Sequence, residues 1–533
     1  MDRPIVTVNQ GKLQGILEEN LLGSHHYFSF KGIPFAAPPV GELRFKDPEP
    51  PTPWEGIRDA SKNSDICAQL EHSKTQVVVG SEDCLYLNIC VPYNVYRTTG
   101  NPVMVWIHGG GYVLGSGNDT HKRFDYLVKK DVILVSVNYR LGALGFLNLD
   151  HEVASGNQGL KDQVAALKWI KENIKAFGGD PNNITVFGVS AGSTCINLLM
   201  LSPLSKGLFH KAILQSGIIT SDWAMIRNQP EANSFKLASI LGNDSKDPEK
   251  VIEFLRTIPT VKIIKAQHKV LTPEEARTLN VPFGPTIDDR AKKPFLPYPI
   301  SQLLDDDNNI PIMIGYTSHE YISLLQDTSE KTLKTMYADL PRYVGNFINS
   351  QDPEKIMQMT EKIKQKYFCN KLPFTEESIP SIIRWLSDLH FNIPIEDFVD
   401  KRRKKKHVPT YFYRFSYVGN EKIEKNLINN NKLTAIGAAH TDDMSYLFYI
   451  PKYKINNPQP PAIDTKDRKM LEILTRMWTN FAKTGNPTPV LDQYVTTNWL
   501  PATADIFNYL DIGDTLQLLT ITDYNSILQE LEL

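Results

Sequence analysis

In FGVSAGST, residues 187–194, Ser190 stands two positions from a glycine on either side, Gly188 and Gly192. A serine at the tip of a sharp strand-to-helix turn holds its hydroxyl out of the chain. Side chains two residues before and after it would collide, and glycine at both places relieves that. The apolar run ITVFG precedes the serine, and the helical pattern CINLLML, Cys195 to Leu201, follows it. The context therefore suits a nucleophile. The pattern alone is weak, because chance supplies it in roughly a tenth of chains this long. It gains meaning only if an oxyanion site, an acid and a base stand elsewhere in the chain.

Each has a candidate. The strand-like PVMVWI runs into HGGGYVLG, His108 to Gly115, where three glycines in a row leave bare backbone N–H groups free to face a ligand. Gly110 and Gly111, with Ala191 after the nucleophile, are the expected oxyanion donors, each worth roughly a hundredfold to a thousandfold in rate. Read alone, the same loop is a flexible glycine turn. On a doubly wound sheet the acid and base come from loops after strand carboxyl ends, in the order serine, acid, histidine. The strand PIMIG leads into TSHEY, which puts Glu320 at such an end, 130 residues after Ser190. An isolated glutamate there is more often a surface carboxylate. His319 beside it competes as the base, but it precedes the acid. Of the twelve histidines, His440 in IGAAHTDDMSYLF follows a late strand, 120 residues after Glu320, with small residues before it that allow close packing.

The elements that must position these groups are legible in outline. PVMVWIH and DVILVSVNY are near-continuous apolar runs, the mark of strands covered on both faces. LKDQVAALKWIKENIKA, residues 160–176, carries an apolar stripe at helical spacing and is stopped by GGDP. HKAILQSG, PIMIGYT and YFYRFSY read as further strands, and RKMLEILTRMWTNFAKTGNP as a helix closed by glycine and proline. Alternating strands and helices predict an α/β fold with a large, mostly parallel sheet. Residues 325–400 read as amphipathic helices able to cover a pocket. One domain is expected over 1–533.

Composition excludes several classes. The 533 residues are 41% hydrophobic and 22% charged with a net charge of -2, an ordinary globular balance with no global drive towards nucleic acid. No run of 18 apolar residues predicts a membrane span. The start, MDRPIVTVNQGKLQGIL, lacks a signal peptide's apolar core and reads as a strand hairpin, so a cytoplasmic location is expected if Met1 is the native start. KRRKKKH, Lys401 to His407, reads as a solvated helix end feeding a strand, with a nuclear or surface-binding signal as the alternative. The five cysteines show no metal spacing.

Across nearly its whole length the sequence resembles the type-B carboxylesterases and cholinesterases, most closely the insect carboxylesterases. FKGIPFAAPPVGELRFKDPEP, SEDCLYLNI, HGGGY, VNYRLGALGFL, GNQGLKDQVAALKWIKENIKAFGGDPNNITVFGVSAG, GAAHTDDMSYLF and WTNFAKTGNP resemble family blocks in family order. The resemblance implies an α/β-hydrolase fold and a Ser190–Glu320–His440 triad. It also implies buried pairs Arg44–Glu82 and Arg140–Asp162, and a disulfide between Cys67 and Cys84, which a cytosolic protein would leave reduced or partly formed. Departures narrow the substrate. The stretch between Cys67 and Cys84 lacks the tryptophan that stacks on quaternary ammonium in cholinesterases, and Val189 replaces their glutamate. Choline esters are therefore disfavoured, and juvenile hormone esters more weakly so.

The expected function is hydrolysis of carboxylic esters through an acyl-enzyme, without metal or cofactor. Broad detoxification of apolar esters and covalent capture of organophosphates are expected with it. Trp223 in QSGIITSDW and Phe283 in VPFGP, with Val189, are candidates for the pocket wall, and plain core is the alternative for Trp223. Three other readings stay open: a slow-turnover sequestering protein, a non-catalytic binding member of the fold, and a lipase. The natural ester and the oligomeric state are not fixed by the sequence.

Overall fold

The apolar runs read as buried strands form the centre of one large sheet in the computed structural model. It describes residues 3–23, 25–71, 76–96, 98–227, 229–304, 309–325, 327–369, 373–405, 408–421, 437–454 and 457–522. The sheet has 11 strands. In chain order they are β1 (Ile16–Glu19), β2 (His26–Pro34), β3 (Tyr86–Pro92), β4 (Asn101–Ile107), β5 (Ile133–Val137) and β6 (Gly179–Val189). Then come β7 (Lys211–Gln215), β8 (Ile312–Thr317), β9 (Thr410–Phe415), β10 (Asn508–Ile512) and β11 (Leu516–Thr520). Their order across the sheet is β11-β10-β9-β8-β7-β6-β4-β5-β3-β2-β1. The strands from β5 across to β10 run parallel, and antiparallel pairings finish both edges. The predicted N-terminal hairpin, Ile5–Val8 with Gly11–Gln14, lies in a separate three-stranded sheet.

Alternation along β4 explains why its sequence is apolar throughout. Val103, Val105 and Ile107 pack in one apolar cluster, and Met104 and Trp106 in another on the opposite face. The first cluster takes in α1 (Gln158–Asn173) and α2 (Ala191–Leu201) through Leu160, Val164, Leu167, Ile196 and Leu199. A third cluster fills the predicted helical region. It draws on α3 (Glu330–Ala338), α4 (Leu340–Phe347), α5 (Pro353–Phe368) and α6 (Ile379–Ser387). Tyr321 and Ala439, immediate neighbours of Glu320 and His440, belong to it too, as does Ile322. After a π-helical stretch, Asp388–Asn392, the chain continues as α7 (Ile393–Lys405). The second cluster is closed by α8 (Lys466–Thr484), which Gly485 ends in a left-handed conformation at φ 79°.

Arg140 and Asp162 form a buried bidentate pair at 2.8 and 2.7 Å, and Arg44 meets Glu82 at 2.7 and 2.5 Å. Cys67 and Cys84 are bonded. The basic run closes α7 and feeds β9, and its described charges face acceptors of this chain. Lys401 pairs with Asp397 at 2.7 Å, Lys404 with Asp400 at 2.6 Å, and Arg402 donates to the Ile310 carbonyl at 2.6 Å. Arg403 donates to Asp400 at 2.9 Å and to the Thr503 and Ala504 carbonyls at 2.7 Å. Lys406 and His407 lie outside the described residues. Among the described residues, no helix is long and apolar enough to cross a membrane.

Candidate active site

Ser190 ends β6 and precedes α2 with φ 58° and ψ -130°, a conformation that side-chain-bearing residues avoid at a cost of about 1–3 kcal/mol. The flanking glycines are explained by contact. A Cβ on Gly188 would lie 2.5 Å from the Ile107 carbonyl oxygen, and one on Gly192 2.3 Å from the same atom. No residue with a Cβ fits either place without moving β4 or β6. The turn is tied to the next strand by the Ser190 N–H, which donates to the Gln215 carbonyl at 2.8 Å. Ala191 is the first residue of α2, so its N–H has no partner within the helix.

The glycine loop lies against this turn. A Cβ on Gly109 would meet the Val189 oxygen at 2.4 Å and the Ser190 Cβ at 3.1 Å. Gly110 and Gly111 take φ 116° and 59°. Among the described residues, the N–H groups of Gly110, Gly111 and Ala191 have no protein acceptor. The loop is braced from outside. Gln69 both accepts from the Gly115 N–H and donates to its carbonyl at 2.8 Å, and the Tyr139 hydroxyl donates to the His108 carbonyl at 2.8 Å. Burial lowers the His108 pKa to about 3, which keeps that imidazole uncharged.

Glu320 follows β8 and is fully buried. His440 lies in the loop before the short helix Met444–Leu447, and its Nδ1 is 2.5 Å from Glu320 Oε2. Glu320 Oε1 accepts from the Thr317 N–H at 2.7 Å, so both carboxylate oxygens face donors. The His440 N–H donates to the Glu320 carbonyl at 3.3 Å, which binds the two loops by backbone as well. His319 is engaged elsewhere, with its Nδ1 3.0 Å from the Ser318 hydroxyl and its ring against Gly437. Ser190, Glu320 and His440 all stand beyond the carboxyl ends of parallel strands, where register pairs Val189 with Gln215 and Gln215 with Gly315.

Two residues unnoticed in the sequence connect these loops. Gln215, whose carbonyl holds Ser190, donates from its side chain to Asp443 Oδ2 at 2.8 Å and accepts from the Trp478 indole at 3.3 Å. Asp443 is buried, and its Oδ1 has no partner among the described residues. Burial, assisted by the nearby Glu320 charge, raises its pKa to about 7, against the opposing Gln215 bond and His440. The only sequence signal was the pair of carboxylates two and three residues after His440 in HTDDM.

Of the residues expected in the pocket wall, Trp223 is 6% exposed and its indole N–H donates to the His390 carbonyl at 3.0 Å. Its ring lies 5.6 Å from Phe391, which lies 5.0 Å from the His440 ring. Trp223 thus reaches His440 through one intervening side chain. Phe391 was not anticipated. Phe283 is buried within the first apolar cluster, and Val189 within the second with Phe187 and Phe448. Neither makes an aromatic contact with His440 among the described residues.

A model of the carboxylesterase family matches residues 2–527. The chain is 32% identical over 522 residues to esterase FE4 of Myzus persicae, covering 96% of this chain and 89% of that one. It is 35% identical over 514 residues to a juvenile hormone esterase of Tribolium castaneum, covering 91% and 84%. It is 33% identical over 497 residues to the para-nitrobenzyl esterase of Bacillus subtilis, covering 91% of each. The crystal structure of a juvenile hormone esterase from Manduca sexta, with OTFP covalently attached, superposes with a TM-score of 0.87 at 30% identity, covering 100% of this chain and 99% of that one.

Proposed function

The chain belongs to the carboxylesterase family and is a carboxylic-ester hydrolase, and from that premise we infer that Ser190, His440 and Glu320 carry the reaction. The observation that supports this most is the Glu320–His440 contact at 2.5 Å, set beside a strained serine turn and three unpaired N–H donors. The Glu320 carboxylate accepts from His440 Nδ1–H, which leaves Nε2 as the base for the Ser190 hydroxyl. Ser190 attacks the ester carbonyl, and the carbonyl oxygen gains its charge among the N–H groups of Gly110, Gly111 and Ala191. His440 then protonates the leaving alcohol. Water, deprotonated by the same imidazole, releases the acid and frees Ser190.

The substrates proposed are apolar esters with modest acyl groups, because Trp223 and Phe391 form an aromatic wall beside the base. Detoxification of such esters is the broader role we assign. Organophosphates would phosphorylate Ser190, since a P–O group fits the same donors, and the tetrahedral adduct aligns water poorly for release. One equivalent of a diethyl phosphate ester should therefore abolish activity, and rapid full recovery after its removal would contradict this. The closed Cys67–Cys84 bond supports an oxidising compartment over the cytosol.

The deciding experiment is burst and steady-state hydrolysis of 4-nitrophenyl acetate and butyrate by the parent and by Ser190→Ala. Burst and turnover in the parent, both absent in the variant, support the triad. A burst with almost no turnover points to sequestration, with Ser190 acylated and only slowly released. No serine-dependent signal removes the catalytic reading altogether.

A further inference from the structure

His390 lies outside the proposed triad, yet it contacts Asp222, Trp223 and Tyr321, which stand near it. It sits in the π-helical stretch Asp388–Asn392 and is completely buried. Its Nδ1 lies 2.9 and 3.0 Å from the two carboxylate oxygens of Asp222. Its Nε2 has no hydrogen-bond partner among the described residues, so Asp222 is the ring's polar anchor. The next residue after Asp222 returns the grip, since the Trp223 indole N–H donates to the His390 carbonyl at 3.0 Å. Two consecutive residues of the loop after β7 therefore hold one residue between α6 and α7, by its side chain and by its backbone.

That residue borders both partners of the nucleophile. Phe391 follows it directly and rests on the His440 ring at 5.0 Å and on Trp223 at 5.6 Å. On its other side, Tyr321, the neighbour of Glu320, stacks on the His390 imidazole at 5.7 Å and 24°. The π-helical turn is itself a departure from regular hydrogen bonding. It is kept here by Asn392, which donates to Asp388 at 2.8 Å, and by the Asp222 contact. If the turn relaxed to regular helix, the direction of Phe391 would change.

We propose that His390, clamped by Asp222, is a positioning residue that sets the acyl selectivity of the esterase by holding Phe391 and Trp223 in place as the acyl wall. It does not touch the reacting atoms and acts through Phe391. The proposal rests on the assignment of Ser190 as nucleophile and of this wall as the acyl side.

Three variants test it. His390→Phe keeps a ring for Tyr321 and removes the donor to Asp222. His390→Asn keeps a donor where Nδ1 stood. Phe391→Leu leaves the clamp and removes the ring that transmits it. The readout is kcat/KM for 4-nitrophenyl esters of acetate, butyrate and 2-methylpropanoate. His390→Phe should raise the 2-methylpropanoate-to-acetate ratio about tenfold, within the span that one methylene commands in a pocket. His390→Asn should return the ratio to within about twofold of the parent. Phe391→Leu should shift it in the same direction as His390→Phe, and it carries the test alone if His390→Phe does not fold. An unchanged ratio in Phe391→Leu, or in a folded His390→Phe, overturns the proposal. Equal shifts in His390→Phe and His390→Asn also overturn it, because a side chain that can still donate to Asp222 would then hold the wall no better than one that cannot. A parent without Ser190-dependent release of nitrophenol overturns the nucleophile assignment and this proposal together, whereas parent activity with an unchanged ratio overturns only this one.

Discussion

Replacing Glu320 by glutamine should disable the base without disturbing its position. The carboxylate meets two donors, the Thr317 N–H at Oε1, 2.7 Å, and His440 Nδ1 at Oε2, 2.5 Å. Glutamine offers one oxygen and one NH2 in the same places. Turned so that the oxygen meets His440, the amide points its NH2 at the Thr317 N–H, and a buried backbone donor loses its acceptor at a cost of about 1–3 kcal/mol. Turned the other way, the oxygen keeps Thr317 and the NH2 donates to Nδ1. The second arrangement wins by roughly a factor of 5 to 150. It forces the proton onto Nε2, where the imidazole can no longer take the Ser190 proton, and it removes the anion that stabilises the imidazolium. Loss of the correct tautomer in a triad costs about ten-thousandfold in kcat, or about 5.5 kcal/mol of transition-state stabilisation. Steady-state and burst kinetics on 4-nitrophenyl acetate, with thermal unfolding as a control, measure this. A folded Glu320→Gln protein that keeps kcat within tenfold of the parent would refute the tautomer argument.

Asp443 gives a stability test. Burial raises its folded pKa from 3.8 to about 7, so between those values the folded chain holds a proton that the unfolded chain has lost. Stability should fall as pH rises through that window, by at most roughly 4 kcal/mol, and stay reduced above it. In Asp443→Asn the midpoint of urea unfolding should change less between pH 5 and 8, and an identical pH slope in parent and variant would show the carboxyl is not the cause. Trp223→Gly should raise kcat/KM for branched or large acyl esters against acetate about tenfold or more, and no change in that ratio would return Trp223 to the core. Thiol titration of the denatured, unreduced protein should find three free cysteines, Cys90, Cys195 and Cys369, and not five. Five would mean that Cys67–Cys84 is reduced.

What could be read from the sequence was what close packing imposes on neighbouring positions. Gly188 and Gly192 were legible because each approaches the Ile107 carbonyl, and only glycine permits that. β4, β5 and β8 were legible because burial on both faces removes polar residues from consecutive positions. Glu320 and His440 were legible by order and by strand ends, with composition contributing nothing. The pairs that brace the site had no such signature. Gln215 reaches Asp443 across 228 residues, and Asp222 reaches His390 across 168. A hydrogen bond between distant residues leaves no periodicity in either segment. Nor does DLHFN announce a π-helical turn, because the extra residue in that turn is accommodated by tertiary contacts.

The structure divides the work between two kinds of support. The sheet fixes Ser190, the proposed nucleophile: its N–H on Gln215, the glycine contacts to Ile107 and the register of β6, β7 and β8 all come from parallel strands. Glu320 and His440, the proposed acid and base, stand at the same sheet ends, but their neighbours Tyr321 and Ala439 pack into the helical layer formed by α3 to α6. The Tyr321 N–H also donates to the Ser387 hydroxyl in α6 at 3.0 Å. Phe391, in the π-helical stretch after α6, lies with its ring 5.0 Å from that of His440. A change in the strands that moves Ser190 should therefore depress all substrates alike, since the nucleophile is common to them. A change confined to the helical layer should act on acid, base and acyl wall together, and so alter substrates unequally. Sequence variation in residues 325–400 can then retune which ester is hydrolysed while β4 to β8 preserve the chemistry.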